Sequence, residues 1–317
     1  MTIKDYLTSN KSTAFSFEIL PPLKGNGMEK AYKTIETLRE FNPKYINITT
    51  HHSEFVQRTL HTGMVVKQNV RKRPGTVAVA AAIQHKYGIT AVPHIICSGF
   101  TKAETEYALI DLQYLGIQNL LVLQGDKGKM EHGYINPDDC HNYALELQGQ
   151  INRFNDGYFL DGSLFDKSPT PFSYGVAGYP EKHADAPSMA SDIHFLKEKI
   201  KAGAEYIVTQ MFFDNRKYFD FVALCRAEGI TVPIVPGIKP IVFCNQLTVL
   251  PQIFGSEIPV DFAKELAKCK TDHEAKEVGI EWCIEQCKEL IANQVSSLHF
   301  YTLMATESVK RVAEKIY

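Results

Sequence analysis

A small set of chemically able side chains recurs at one kind of place in this sequence. Glu18 and Asp126, His94 and His183, Gln210, Thr49, Tyr179 and Tyr301 each end, or closely follow, a short apolar stretch. The clearest case is Thr209-Gln210-Met211-Phe212-Phe213-Asp214, which follows the apolar run Tyr206-Ile207-Val208. Two separated carboxylates, two histidines, an amide and aromatics are the ingredients of a site for proton transfer and for holding a polar, flat ligand. Each residue also has a plainer reading. Glu18 could pair with a lysine. His94 could be a satisfied strand-end histidine and His183 a solvated loop residue. Asp126 after Gly125 is a common turn pair. Adjacent His51 and His52 would point opposite ways on an extended chain, so no metal triad stands out. There is no GxSxG elbow and no Walker loop. Chemistry without a metal, a nucleophile elbow or a phosphate loop commonly leans on an organic cofactor.

These residues need elements to position them. Ala14–Pro22 alternates aromatics with Ser16 and Glu18, the period of two of a strand, and a double proline stops it. Further strands are expected at Lys44–Thr50, Ile89–Ile96, Asn119–Gln124, Phe172–Ala177, Tyr206–Gln210, Val232–Gly237 and Ser297–Thr302. Helical spacing marks residues 28–41. A crossover of two helices is expected, one from about Glu54 to Val70 with Ser53 as N-cap and one from about Thr76 to Tyr87. Thr101 to Leu115 opens on the capping box Thr101-Lys102-Ala103-Glu104. Helices are expected at Tyr143–Phe154, Ser191–Ala202 and Tyr218–Glu228, in segments over 245–294, and after 302. Residues 127–139 read as loop, and 155–172 as an inserted surface loop rich in Gly, Asp, Ser and Pro. Eight strands alternating with helices predict a (β/α)8 barrel, with all strand C-termini on one face. A doubly wound open sheet is the alternative. Gly25-Asn26-Gly27 lacks the third glycine of a dinucleotide fingerprint.

The totals bound the rest. The chain has 317 residues, 44% of them hydrophobic, with Lys+Arg 34 against Asp+Glu 36 and a net charge of −2. That balance offers no basic footprint for nucleic acid. The one basic cluster, Lys67 with Arg71-Lys72-Arg73, is expected at a helix end. The seven cysteines include no CxxC pair, which points to reduced thiols in a cytoplasmic protein and away from zinc. No apolar signal core or membrane-length run is seen. No linker divides the chain and no repeat is visible, so residues 1–317 are read as one catalytic barrel.

Phe15-Ser-Phe-Glu18-Ile-Leu-Pro-Pro22, Pro93-His94, Gln124-Gly-Asp126, Gly178-Tyr-Pro-Glu-Lys-His183, Thr209-Gln210-Met-Phe-Phe-Asp214, Pro236-Gly237-Ile238 and His299-Phe-Tyr-Thr-Leu303 occur in one order and spacing. Together, over about residues 13–304, they resemble the methylenetetrahydrofolate reductase family. The resemblance implies a (β/α)8 barrel that binds FAD. It implies reduction of 5,10-methylenetetrahydrofolate to 5-methyltetrahydrofolate with NADH or NADPH, by ping-pong turnover, supplying methyl groups for methionine synthesis. It implies a homo-oligomer. The single barrel is similar to the bacterial form, without the regulatory domain of the animal enzymes.

Roles follow where the motifs match. Glu18 matches the acid that promotes proton delivery toward folate N10, which needs a partly dry carboxyl. Asp126 matches the acid near flavin and pterin, where it would disfavour anionic reduced flavin and favour the folate iminium. Gln210 matches the amide that orients the pterin. Thr49, His94, Gln124, Gly125, Asp126, Tyr143, Ala144, Tyr179, His183, Asp192 and Lys199 match flavin-contacting positions, with Lys199 a phosphate partner. The chain departs from the pattern at Gln124 and near Ala305, where relatives carry Arg. Two rivals stand beside this reading. One is a cofactor-free pterin-binding transferase barrel, and the other is a folate-binding scaffold without turnover.

Overall fold

The computed structural model describes residues 1–9, 12–125, 137–167, 170–303 and 305–317. In chain order the first half comprises α1 (Ile3–Ser9), β1 (Ala14–Ile19), α2 (Glu29–Leu38), β2 (Tyr45–Ile48), β3 (Glu54–Thr59), β4 (Val65–Val70), α3 (Thr76–Tyr87), β5 (Thr90–Ile96), α4 (Lys102–Tyr114) and β6 (Asn119–Leu123). The second comprises α5 (Ala144–Asn155), β7 (Ser173–Gly178), α6 (Met189–Lys201), β8 (Tyr206–Met211), α7 (Asn215–Ala227), β9 (Ile234–Ile238), α8 (Gln246–Phe254), α9 (Val260–Lys268), α10 (Asp272–Ala292), β10 (Ser297–Tyr301) and α11 (Thr306–Ile316). Eight parallel strands close in the order β1-β10-β9-β8-β7-β6-β5-β2, the (β/α)8 architecture that the strand–helix alternation predicts. The chain groups into two compact units. One is Met1–Ile19, Tyr32–Ile46 and Gly175–Tyr317; the other is Leu20–Ala31 and Asn47–Tyr174.

In the first unit, the outward side chains of β1 build an aromatic core. Phe15 lies 5.5 Å from Phe300, 5.7 Å from Phe41 and 5.6 Å from Tyr317, ring centroid to ring centroid. Burying rings of this size stabilises by roughly 1.5–3 kcal/mol each. The alternate residues face the other way: Ser16 Oγ shares a 3.0 Å hydrogen bond with His299 Nδ1, and the His299 ring stacks on Tyr45. A second core gathers Met211, Phe213, Ile241, Leu250, Phe262 and Leu266. Trp282 of α10 stacks on Phe262 at 4.4 Å.

In the second unit the main correction to the sequence reading appears. Residues 54–70 are not a helix. They form the antiparallel hairpin β3–β4, with Glu54 opposite Val70 and Thr59 opposite Val65. Val56, Thr59, Val65, Val66 and Val70 are β-branched, and such side chains favour a strand over a helix. Gly63 at φ +80° makes the turn, which closes by Gly63 N–H donating to Leu60 O and Leu60 N–H to Met64 O. Ser53 therefore precedes a strand and caps no helix. Of the basic cluster, Lys67 lies within β4 and Arg71-Lys72-Arg73 follow it, where Arg73 donates to the Pro21 carbonyl at 2.5 Å. The helix expected over 76–87 is present as α3, and the Thr101–Glu104 capping box opens α4.

The described part of 155–172 is more ordered in packing than a polar surface loop. Phe159 and Phe165 lie 4.4 Å apart, and Phe165 lies 4.9 Å from Phe154. Asn155 closes the segment by pairing reciprocally with the Phe172 backbone at 2.8 and 3.0 Å. The expected loop at 127–139 lies mostly outside the described residues; Pro137–Asp139 is a 3-10 turn. Among the described residues no helix is long and apolar enough to cross a membrane.

Candidate active site

In the first unit, strand register sets the site. β10 lies between β1 and β9. Glu18 of β1 pairs with Tyr301 of β10, and Phe300 of β10 pairs with Ile238 of β9. On the far side of β9, Gly237 pairs with Met211 of β8, past a register shift between Val208 and Met211. By this register Ser16, His299, Gly237 and Met211 form one row along four neighbouring strands, with Glu18 and Tyr301 two residues further on and Gln210 directly before Met211. Glu18 is 5% exposed, the partly dry setting that a proton-donating carboxyl needs. Thr302 Oγ1 donates to its backbone carbonyl and ties the end of β1 to the residue after β10. The Tyr301 hydroxyl donates to Thr209 O at 2.7 Å. Burial, with the charge of Glu18 second, pushes the Tyr301 phenol well above its ordinary range, so it stays protonated. Gln210 is half-buried, and its Oε1 accepts from Met211 N–H at 2.9 Å.

The stretch after β8 is held from a distance. Three successive carbonyls each receive a side chain: Met211 O from Ser256 Oγ at 2.7 Å, Phe212 O from Gln286 Nε2 at 2.9 Å, and Phe213 O from Trp282 Nε1 at 3.0 Å. Backbone groups that leave a strand without such partners would carry a desolvation cost of about 1–3 kcal/mol each. Asp214 then caps α7 by accepting from Arg216 N–H. The motif thus presents Gln210 from a fixed frame.

The same unit places the residues expected near β7. Tyr179 and His183 meet edge to face at 4.6 Å. Asp192 of α6 accepts from His183 N–H at 2.8 Å and so fixes this turn to the first turn of α6. Lys199 lies seven residues on from Asp192, on the same helical face, and both are half-buried. Lys182 within the turn holds a left-handed φ of 75°. Its ammonium donates to the carbonyls of His183 and Ala186.

Glu181, next in that turn, was not among the sequence candidates. Its Oε1 accepts from Glu257 N–H at 3.0 Å, and Glu257 is bridged to Lys217 at 3.1 Å. Burial pushes its carboxyl up to about 7 from 4.5, against the Glu257 amide, which pulls it down. The folded protein therefore binds this proton more tightly than the unfolded chain. Its contribution is greatest below pH 4.5 and is lost as pH rises to about 7. Glu181→Gln should raise the melting temperature at pH 8 and leave it nearly unchanged at pH 4. Because the group is partly solvated, the gain should not exceed about 1 kcal/mol. Equal melting shifts at both pH values would contradict the assignment.

The second unit carries the other expected residues. Thr49 follows β2 and contacts His51 Nε2 through its hydroxyl at 3.2 Å. His94 lies in β5 and is buried, and its carbonyl accepts from Thr50 Oγ1 at 2.5 Å. Burial, with His51 second, drives the His94 pKa down to about 3, so its imidazole is neutral at pH 7. Gln124 closes β6. Where an arginine was the expectation, its Nε2 donates to Asn142 O at 3.1 Å and ties the strand end to the turn before α5. Gly125 sits at φ +85°, and a Cβ there would lie 3.2 Å from Ile96 and Ser98, so the turn accepts little but glycine. Tyr143 is the N-cap of α5, 64% exposed and making no side-chain cap, and Ala144 is the first helical residue. Asp126 lies outside the described residues.

The start of α5 offers features suited to a flat, anionic ligand. The Tyr143 side chain makes no cap bond to the first turn of α5, a helix start of the kind that can receive an anionic group, and its exposed ring gives a flat surface. Among the described residues no cluster of three metal-ligating side chains occurs.

Comparison with known proteins agrees in one direction. The family model described as methylenetetrahydrofolate reductase matches residues 2–317. A probable methylenetetrahydrofolate reductase (NADPH) of Caenorhabditis elegans is 31% identical over 98% of this chain and 43% of its own length. The chain thus spans less than half of that relative. A 5,10-methylenetetrahydrofolate reductase of Salmonella typhimurium is 28% identical over 92% of this chain and 86% of its own. A solved Clostridium thermocellum protein, described as binding two copies of 5-methyl-5,6,7,8-tetrahydrofolic acid, superposes with a TM-score of 0.61 at 15% identity. It covers 99% of this chain and 98% of its own, a likeness of fold.

Proposed function

Since the chain belongs to the methylenetetrahydrofolate reductase family, we propose that it reduces 5,10-methylenetetrahydrofolate to 5-methyltetrahydrofolate with NADH or NADPH. FAD is its resident cofactor in this reading, and the product feeds methionine synthesis. The observation that carries it is Glu18, a carboxyl buried at the end of β1 in the unit that also presents Gln210 from β8, within a chain that the family matches over residues 2–317.

Glu18 delivers the proton toward N10 as the bridging methylene opens, from a carboxyl that is shielded from most water. Gln210 orients the pterin, since its amide can exchange the bond to Met211 for one to a ring edge. Bound FAD would supply hydride transfer between the nicotinamide and the folate. By the family resemblance Thr49, neutral His94, Gln124, Gly125, Tyr143, Ala144, Tyr179, His183, Asp192 and Lys199 are its flavin-contacting positions, with Lys199 toward phosphate. Asp126 is assigned, from the family motif, to the flavin and pterin. The two substrates take turns, which predicts parallel lines when both are varied in steady state. A cytoplasmic homo-oligomer belongs to the same proposal.

The test is a visible absorption spectrum of the purified protein, repeated after anaerobic NADH and then methylenetetrahydrofolate. A flavin spectrum bleached by NADH and restored by the folate is the expected result. A protein that stays colourless with added FAD would overturn the reading.

A further inference from the structure

One charge in the first unit has no part in the roles above. Lys239 directly follows β9 and is only 6% exposed. A buried ammonium is costly unless something compensates it. Among the described residues no hydrogen bond or ion pair reaches this one, and Glu18 is the charge that acts on it. Burial pulls the ammonium below its ordinary 10.5, and Glu18 opposes that shift.

The register supplies the geometry. Ile238 pairs with Phe300, and Tyr301 pairs with Glu18, so Lys239, Tyr301 and Glu18 succeed one another across β9, β10 and β1. Gly237 faces the Tyr301 ring, where a Cβ would lie 2.6 Å away. Lys239 is two residues on, the spacing that returns a strand to the same face. Ser16 and Glu18 share the face of β1 that meets His299. The titratable groups facing this row are Tyr301 of β10, Tyr179 after β7, Tyr45 of β2 and, one layer below, His299. Burial raises the Tyr45 and Tyr301 phenols, so both stay neutral, and Lys239 is the described cation of the row.

We propose that Lys239 is the electrostatic counterpart of Glu18 and stabilises the carboxylate left when that side chain gives up its proton. This rests on the folate reductase reading. When the bond from the bridging carbon to N10 breaks, its electron pair stays on N10 and takes the Glu18 proton. The bridging carbon becomes the N5 iminium, and Glu18 becomes a carboxylate beside the Lys239 ammonium. Charge is conserved, and the cation offsets the new anion in a site that excludes most water.

The experiment compares wild type with Lys239→Met, Lys239→Gln and Lys239→Arg. Glu18 is titrated by 13C-carboxyl NMR on the full chain as purified, its resonance assigned by its loss in Glu18→Gln. Removing the cation should raise the Glu18 midpoint by about one pH unit, a tenfold change in its acid constant. Lys239→Arg should hold it near wild type. The alkaline limb of the folate half-reaction should move up with the midpoint, while flavin reduction by NADH keeps its pH profile. An unchanged Glu18 midpoint in either folded neutral variant overturns the proposal, even where wild type turns over folate. Failure of wild type to turn over folate would remove the reductase reading, while the titration would still decide whether Lys239 and Glu18 are coupled.

Discussion

Glu18→Gln should leave flavin reduction by NAD(P)H at its wild-type rate and slow folate reduction by about 10²- to 10⁴-fold, the usual range for losing a positioned acid. The swap keeps size and shape, and the strand is tied through backbone, by Thr302 Oγ1 on the Glu18 carbonyl and by pairing with Tyr301. The variant should therefore fold and bind cofactor as wild type does. What it loses is the proton, in a place where 5% exposure leaves little access for water to replace it. Anaerobic stopped-flow of each half-reaction separates the two effects. Equal slowing of both halves would show that Glu18 acts on the flavin or on the fold, and its assignment would fall.

Gly237→Ala is expected to cost about 3 kcal/mol of stability and to impair the site beyond that loss. A Cβ at residue 237 would stand 2.2 Å from the Thr209 carbonyl and 2.6 Å from the Tyr301 ring. Neither neighbour can yield cheaply. The carbonyl belongs to β8 and accepts the Tyr301 hydroxyl, and Gly237 N–H itself donates to Thr209 Oγ1 at 3.0 Å. Relief would spread β9 from β8 and tilt Tyr301, which moves Gln210 and Lys239 relative to Glu18. Urea denaturation reads the first effect. The folate KM of the still-folded fraction reads the second. A variant with wild-type midpoint and KM would mean that the strands close with slack the structure does not show.

Much of the architecture was legible because its signals are local. Apolar runs that end in polar residues marked the eight strands, and Thr101 with Glu104 marked the start of α4. Alternation named Glu18 as a strand-end residue, and the polar end of the apolar run Tyr206–Val208 named Gln210. The hairpin β3–β4 was missed although valines and Gly63 hinted at it, because a run of mixed polarity supports a helix equally well until two segments pair. Gln286, Trp282 and Ser256 could not be linked to carbonyls 211–213 from sequence. They lie tens of residues away, and nothing in their own neighbourhood says which backbone group they will meet.

Lys239 shows the division most plainly. In the sequence it is a lysine after Pro236-Gly237-Ile238, and a lysine at a strand end reads as solvated. A chain's periodicity determines which residues alternate and where a strand stops, since both depend on neighbours a few positions away. Whether a charge at that stop is wet or buried depends on the strands beside it. Here β10 sets Tyr301 next to the end of β9 and brings Glu18 level beyond it. The sequence by itself determined the barrel and the acid at the end of β1. Only tertiary structure decided that a buried cation stands in the same row, because burial and register are products of long-range pairing.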